Sequence, residues 1–126
     1  MNEAIRSFRD LRVWQLGMDL AVACYETTKT FPREEVFGLT SQIRRAAASI
    51  PANIAEGHGR GRKEYRQFLR TAQASLKELE THLILAQRVS MLSEKTAAEV
   101  LATTDQLGRM LQKLQQALRP PPTPNP

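Results

Sequence analysis

Few residues in this chain have the chemistry of a reactive site. Its one cysteine is Cys24, and its two histidines are His58 and His82. A di-iron bundle would need a Glu-x-x-His pair from each of two helices, with two more glutamates facing them. The nearest approach is Glu78 and His82, four apart and occurring once, which reads as a surface i,i+4 pair. Cys24 is remote from both histidines and falls on an apolar stripe, so it reads as a small buried hydrophobe. No set of ligands has metal-binding spacing. Gly57, Gly59 and Gly61, interleaved with His58 and Arg60, suggest a phosphate loop opening a helix. They fit neither the Walker nor the dinucleotide pattern and follow no strand. They read instead as glycines that let one helix end and the next turn back. Ser49 has no nucleophile-elbow context. The chain therefore reads as a non-enzyme with no cofactor or metal.

Two polar groupings remain. In the first, Arg60, Arg62, Lys63, Arg66 and Arg70 stand against one acid, Glu64, with Lys77 further on. On a helix Arg62, Arg66, Arg70 and Lys77 share an arc of about 80°. Like charges at i,i+4 repel, and cations in a first turn oppose the helix dipole, so stability alone does not explain this placement. These residues are expected either to form a solvated charged face or to meet phosphates of RNA or DNA, or carboxylates of an acidic partner or another subunit. The net charge of +5 favours such anionic partners. The second grouping is Arg44, Arg45, Asn53, Glu56 and Gly57, of which Arg45, Asn53 and Glu56 are spaced to share one side of a helix. Asn53 is expected to satisfy a backbone carbonyl left unpaired by Pro51, or to make a polar contact across an oligomer interface. Gly57 is expected as the residue just past the helix end.

The elements that must position these groups are all helical. After an N-terminal arm (residues 1–9), Asp10 is expected to cap a first helix. Leu11, Trp14, Met18, Ala21, Tyr25 and Thr28 form one heptad stripe on it, and Val13, Gly17, Leu20 and Cys24 a second. Two stripes imply more than one neighbour. Phe31-Pro32 ends this helix. Glu34 and Glu35 suit the first turn of the next, where Val36, Thr40, Ile43, Ala47, Ile50 and Ile54 recur at 4-3-4-3-4. Pro51 interrupts that phase without breaking it, which predicts one kinked helix. A third helix is expected over 62–91, with Tyr65, Phe68, Leu69, Ala72, Leu76, Leu79, Leu83 and Ala86 inward. Ser93 would cap a fourth, whose face is Ala97, Val100, Leu101, Thr104, Leu107, Leu111, Leu114 and Leu118. Short connections make sequential helices antiparallel. The expected fold is all-α: an up-down-up-down four-helix bundle over 10–119, followed by a Pro-rich disordered tail, 120–126. No apolar run reaches the roughly 18 residues of a membrane span, and no signal-peptide core opens the chain. With a single cysteine, this points to a cytoplasmic protein without membrane association.

Five stretches carry a family resemblance: FRDLRVW at 8–14, FPREE at 31–35, QIRRAA at 42–47, SIPANIAEG at 49–57 and SLKELE at 75–80. In order, they resemble the small bacterial four-helix bundle proteins associated with intervening sequences in 23S ribosomal RNA genes. The likeness spans about residues 8–115, and Asn53–Gly57 is its most specific part. It implies a bundle that assembles as a homopentamer. The family is also similar to the accessory protein of diversity-generating retroelements, a basic pentameric bundle that works with a reverse transcriptase and nucleic acid. It implies no catalytic or cofactor residues. The expected function is a homo-oligomeric bundle that binds RNA without sequence preference; the alternative is a structural or protein-interaction scaffold with no nucleic-acid role.

Overall fold

A computed structural model describes residues 4–122 and contains, among them, four long helices and no strand. The helices are α1 (Arg12–Thr28), α2 (Leu39–Gly57), α3 (Arg62–Arg88) and α4 (Glu94–Ala117). Each packs on its neighbours in chain order, and α4 closes back on α1, while α1 and α3 share no close contact. The start of α2 meets the end of α1, where Arg44 Nε lies 2.9 Å from Thr28 Oγ1. The start of α3 meets the end of α4, where Arg62 Nη2 lies 2.9 Å from the Ala117 carbonyl. These contacts fix the up-down-up-down order. The axis is filled by Leu20 and Cys24, Ile43, Ile50 and Ile54, Leu69, Leu76, Leu79 and Leu83, and Leu107 and Leu111. Thr104, fully buried, satisfies its hydroxyl on the Leu101 carbonyl at 2.8 Å.

The inward stripes of α2, α3 and α4 are those expected, with adjustments at the edges. Phe68, Leu101, Leu114 and Leu118 are only half-buried. Helix α1 is the exception. Its Val13–Gly17–Leu20–Cys24 stripe faces the axis together with Ala21 and Thr28. In the other stripe, Met18 and Tyr25 remain 39% and 44% exposed. Gly17 lets α1 lie close to Pro51, whose ring atoms sit 3.6–3.7 Å from where a Cβ would stand. Helix α2 runs unbroken through Pro51.

The helix ends depart further from expectation. Asp10 does not cap α1. Its carboxylate accepts from the Arg6 and Ser7 amides, closing a capping box on a 3-10 turn at Phe8–Asp10. The residues just before α1 are therefore ordered, and Phe8 packs edge-on against Trp14 at 5.3 Å. Glu34 and Glu35 lie in a separate 3-10 turn, Arg33–Glu35, rather than in α2. Glu35 still serves the α2 N-terminus from outside, because its Oε2 accepts from the Leu39 amide at 3.0 Å. Val36 belongs to this turn and is 53% exposed, so it is not a core residue. Helix α3 stops at Arg88, before Met91. Ser90 adopts a left-handed φ of 65°, and the Met91 and Ser90 amides return to the Ala86 and Gln87 carbonyls. That pairing is a Schellman motif with serine where glycine is usual. Ser93 caps α4 through the Thr96 amide, as expected. The arm's residues 1–3 and the tail's residues 123–126 lie outside the described residues; Pro120–Pro122 are neither helix nor strand.

Candidate nucleic-acid interface

The antiparallel order explains two of the six cations in the basic cluster. Where α3 begins, α2 and α4 end, so two negative helix termini flank one positive terminus. Arg60 answers the end of α2. Its Nε donates to the Glu56 carbonyl at 2.9 Å, and its Nη atoms reach Glu56 at 2.8 Å and Glu64 at 3.3 Å. Its guanidinium also lies 5.0 Å over the Phe68 ring. Arg62 answers the end of α4 through the Ala117 carbonyl. Both cations oppose the dipole of α3 while favouring those of its neighbours.

The other four cations have no such employment. The side chains of Lys63, Arg66, Arg70 and Lys77 form no hydrogen bond or ion pair among the described residues, and Arg66 Nε is enclosed without a partner. Lys63, Arg70 and Lys77 are exposed and Arg66 is half-buried. At 100° per residue these four fall within an arc of about 60° along roughly 21 Å of helix. Ala74 and Thr81 continue that strip, and Glu64 and Glu78 lie off it by helix phase. At its start a shallow cavity of about 480 Å³ opens between Arg62, Lys63 and Arg66 on one side and Leu118, Pro120 and Pro121 on the other. Aromatic rings do not join the strip. Tyr65 is buried, and Phe68 is covered by Arg60.

The second grouping is not brought together. Arg44 turns to α1, donating to Thr28 Oγ1 and lying 4.8 Å over the Tyr25 ring. Glu56 pairs with Arg60. Asn53 does bond a carbonyl, but that of Ser49 at 2.8 Å, one turn back, rather than the Ala47 carbonyl facing Pro51. It also holds Ser49 Oγ at 3.0 Å, which in turn lies 2.9 Å from Ser75 Oγ on α3. Asn53 thus anchors a polar link between α2 and α3. Arg45 is exposed. Gly57 closes α2 from within the helix and is needed for space: a Cβ there would stand 2.6 Å from Phe68 Cβ. The left-handed residue of the loop is Gly59, with φ of 91°.

Sequence reasoning did not single out a groove on the outer seam of α1 and α2. Trp14, Met18, Val22 and Tyr25 form one wall, and Ala48, Pro51, Ala52 and Ala55 the other, around about 530 Å³. The signal was that α1 carries two apolar stripes, of which the one with Trp14, Met18 and Tyr25 lines this groove. Reactive groups are otherwise quiet. Burial pushes the Cys24 thiol up to about 12 and raises the Tyr65 phenol. His82 Nε2 stands 3.6 Å from Glu78, and among the described residues no cluster of three metal-binding side chains occurs. Among the described residues no helix is long and apolar enough to cross a membrane.

These features define the class: an all-α four-helix bundle with a cationic strip on one helix and an open apolar seam between two others. Residues 9–113 match the 23S rRNA-intervening sequence protein family, and the chain belongs to it. A crystal structure of a protein of unknown function, from the S23 ribosomal protein family of Bacteroides thetaiotaomicron, has a similar fold. Its TM-score is 0.74 at 21% identity, over 82% of this chain and 98% of that one. Comparison with curated proteins finds no match.

Proposed function

We propose that this chain is a non-enzymatic, homo-oligomeric helical bundle, pentameric as the family resemblance implies, that binds RNA through the phosphate backbone in the cytoplasm. One observation carries the nucleic-acid part. Lys63, Arg66, Arg70 and Lys77 line one strip of α3 with no partner among the described residues, whereas Arg60 and Arg62 are consumed by helix ends. A strip of unneutralised cations without accessible aromatic rings suits backbone contact rather than base stacking. Self-association supports avidity, since each copy would add its strip to one surface.

The test is a salt titration of binding to a structured RNA hairpin. Four phosphate contacts per protomer give a log–log slope near −3, or about 50- to 150-fold weaker binding between 50 and 200 mM salt. The triple variant Arg66→Glu, Arg70→Glu, Lys77→Glu is expected to lose binding while keeping its assembled mass. Unchanged RNA affinity in that variant refutes the proposal. Loss of assembly instead assigns these cations to acids across subunits, the scaffold reading.

A further inference from the structure

We infer that the α1/α2 groove is filled by Phe37 of a second copy of this chain. The inference rests on the self-association proposed above and names the contact that drives it. Phe37 is 93% exposed and its neighbour Val36 53%, an apolar knob where the chain turns from α1 to α2. That turn is ordered. The Glu35, Val36 and Gly38 amides return in sequence to the Pro32, Arg33 and Glu35 carbonyls, and Glu35 also caps Leu39. A side chain at Gly38 would press on the Glu35 carboxylate and push it off its cap on Leu39, so glycine suits this turn. The turn therefore displays the ring by construction.

The hole matches the knob. The α2 wall of the groove is built from Ala48, Pro51, Ala52 and Ala55, whose small side chains leave the depth for a ring, and the α1 wall offers Trp14, Met18 and Tyr25. Phe37 does not line the groove of its own chain, so its ring is free to enter that of another copy. Charge is compatible. Exposed Arg45, about 20° from Ala52 in helix phase and two turns before it, is available to exposed Glu34 beside the knob, and Glu26, which lines the groove, is paired with Lys29. Every copy carries one knob and one hole, and such contacts join copies into a closed assembly when the geometry closes.

Sedimentation of the full chain tests this with two single variants. The wild type is expected to sediment as a multiple of 14.2 kDa. Phe37→Glu, at an exposed position, and Ala52→Trp, which fills the hole, are each expected to sediment as monomers with unchanged helical circular dichroism. In a mixture of Phe37→Cys and Ala52→Cys chains, oxidation should cross-link one to the other. A monomeric wild type overturns self-association itself. An assembled Phe37→Glu variant overturns only the knob, and if Ala52→Trp nonetheless disperses, the groove belongs to another part of the second copy.

Discussion

Three glycines, each inside a helix and each facing another helix, should respond to alanine with opposite signs. At Gly57 the added Cβ would lie 2.6 Å from Phe68 Cβ, 3.1 Å from Tyr65 Cδ1 and 3.2 Å from Phe68 Cγ. Carbon atoms rest at about 3.5–4.0 Å, so α2 and α3 must part by roughly 1 Å at this point. Phe68 cannot swing aside, because the closest atom is its own Cβ. Overpacking of this kind costs about 1–3 kcal/mol, and the helix-propensity gain at a terminal residue offsets little of it. At Gly17 and Gly108 the nearest atoms stand at 3.6 Å and 3.4 Å, ordinary contact. There alanine removes up to about 1 kcal/mol of glycine's helix penalty and fills space beside Pro51 or Leu76. Urea melts followed by circular dichroism, at one protein concentration because assembly shifts stability, should rank Gly17→Ala and Gly108→Ala above wild type. Gly57→Ala should fall about 1–2 kcal/mol below it. A Gly57→Ala protein as stable as wild type, or a Gly17→Ala protein equally damaged, would refute the steric argument.

Two further outcomes follow from local chemistry. Ser90 holds a left-handed backbone that costs a non-glycine residue about 1–2 kcal/mol, so Ser90→Gly should stabilise by about 0.5–1 kcal/mol after the greater freedom of unfolded glycine is counted; thermal melts check this. The buried Cys24 thiol titrates near 12, against 9.0 for an ordinary thiol. Its proton is lost first from the unfolded chain, so the folded state loses about 1.4 kcal/mol per pH unit from this group between 9 and 12, and none below 9. Cys24→Ala should flatten that part of the pH–stability curve, and a thiol reagent at pH 8 should label the native protein only as fast as it opens.

The four helices were legible because their apolar residues keep a helical period throughout, and Pro51 sits on the buried side of α2 without breaking that period. Choices that depend on a neighbour were not legible. The stripes of α1 are equally apolar in sequence; the one with Gly17 and Cys24 goes inside because small residues admit α2, which leaves Met18 and Tyr25 at the surface. Val36 keeps the helical period yet precedes the helix, because Gly38 and the Glu35 carboxylate start α2 later. Gly57 read as a conformational stop, but Phe68, 11 residues on, is what requires it. Contacts of that range leave no trace in local spacing.

The basic run shows the same limit where it bears on function. Judged within α3, every cation near its start opposes the helix dipole, and all of them look selected for a partner. In the folded bundle Arg60 and Arg62 face the carboxyl ends of α2 and α4, where positive charge is favourable. What sets Lys63, Arg66, Arg70 and Lys77 apart is that their side chains make no hydrogen bond or ion pair among the described residues, although Lys63 and Arg66 face the end of α4 across the cavity. The strip also lies on α3, across the bundle from α1, so the α1 wall of the groove faces away from it. The groove proposed for self-association and the strip proposed for phosphate binding share no residue. The two proposals then separate by experiment: Phe37→Glu removes the avidity and leaves each monomer its salt-dependent contacts, whereas the α3 charge reversals remove the contacts and leave the assembly.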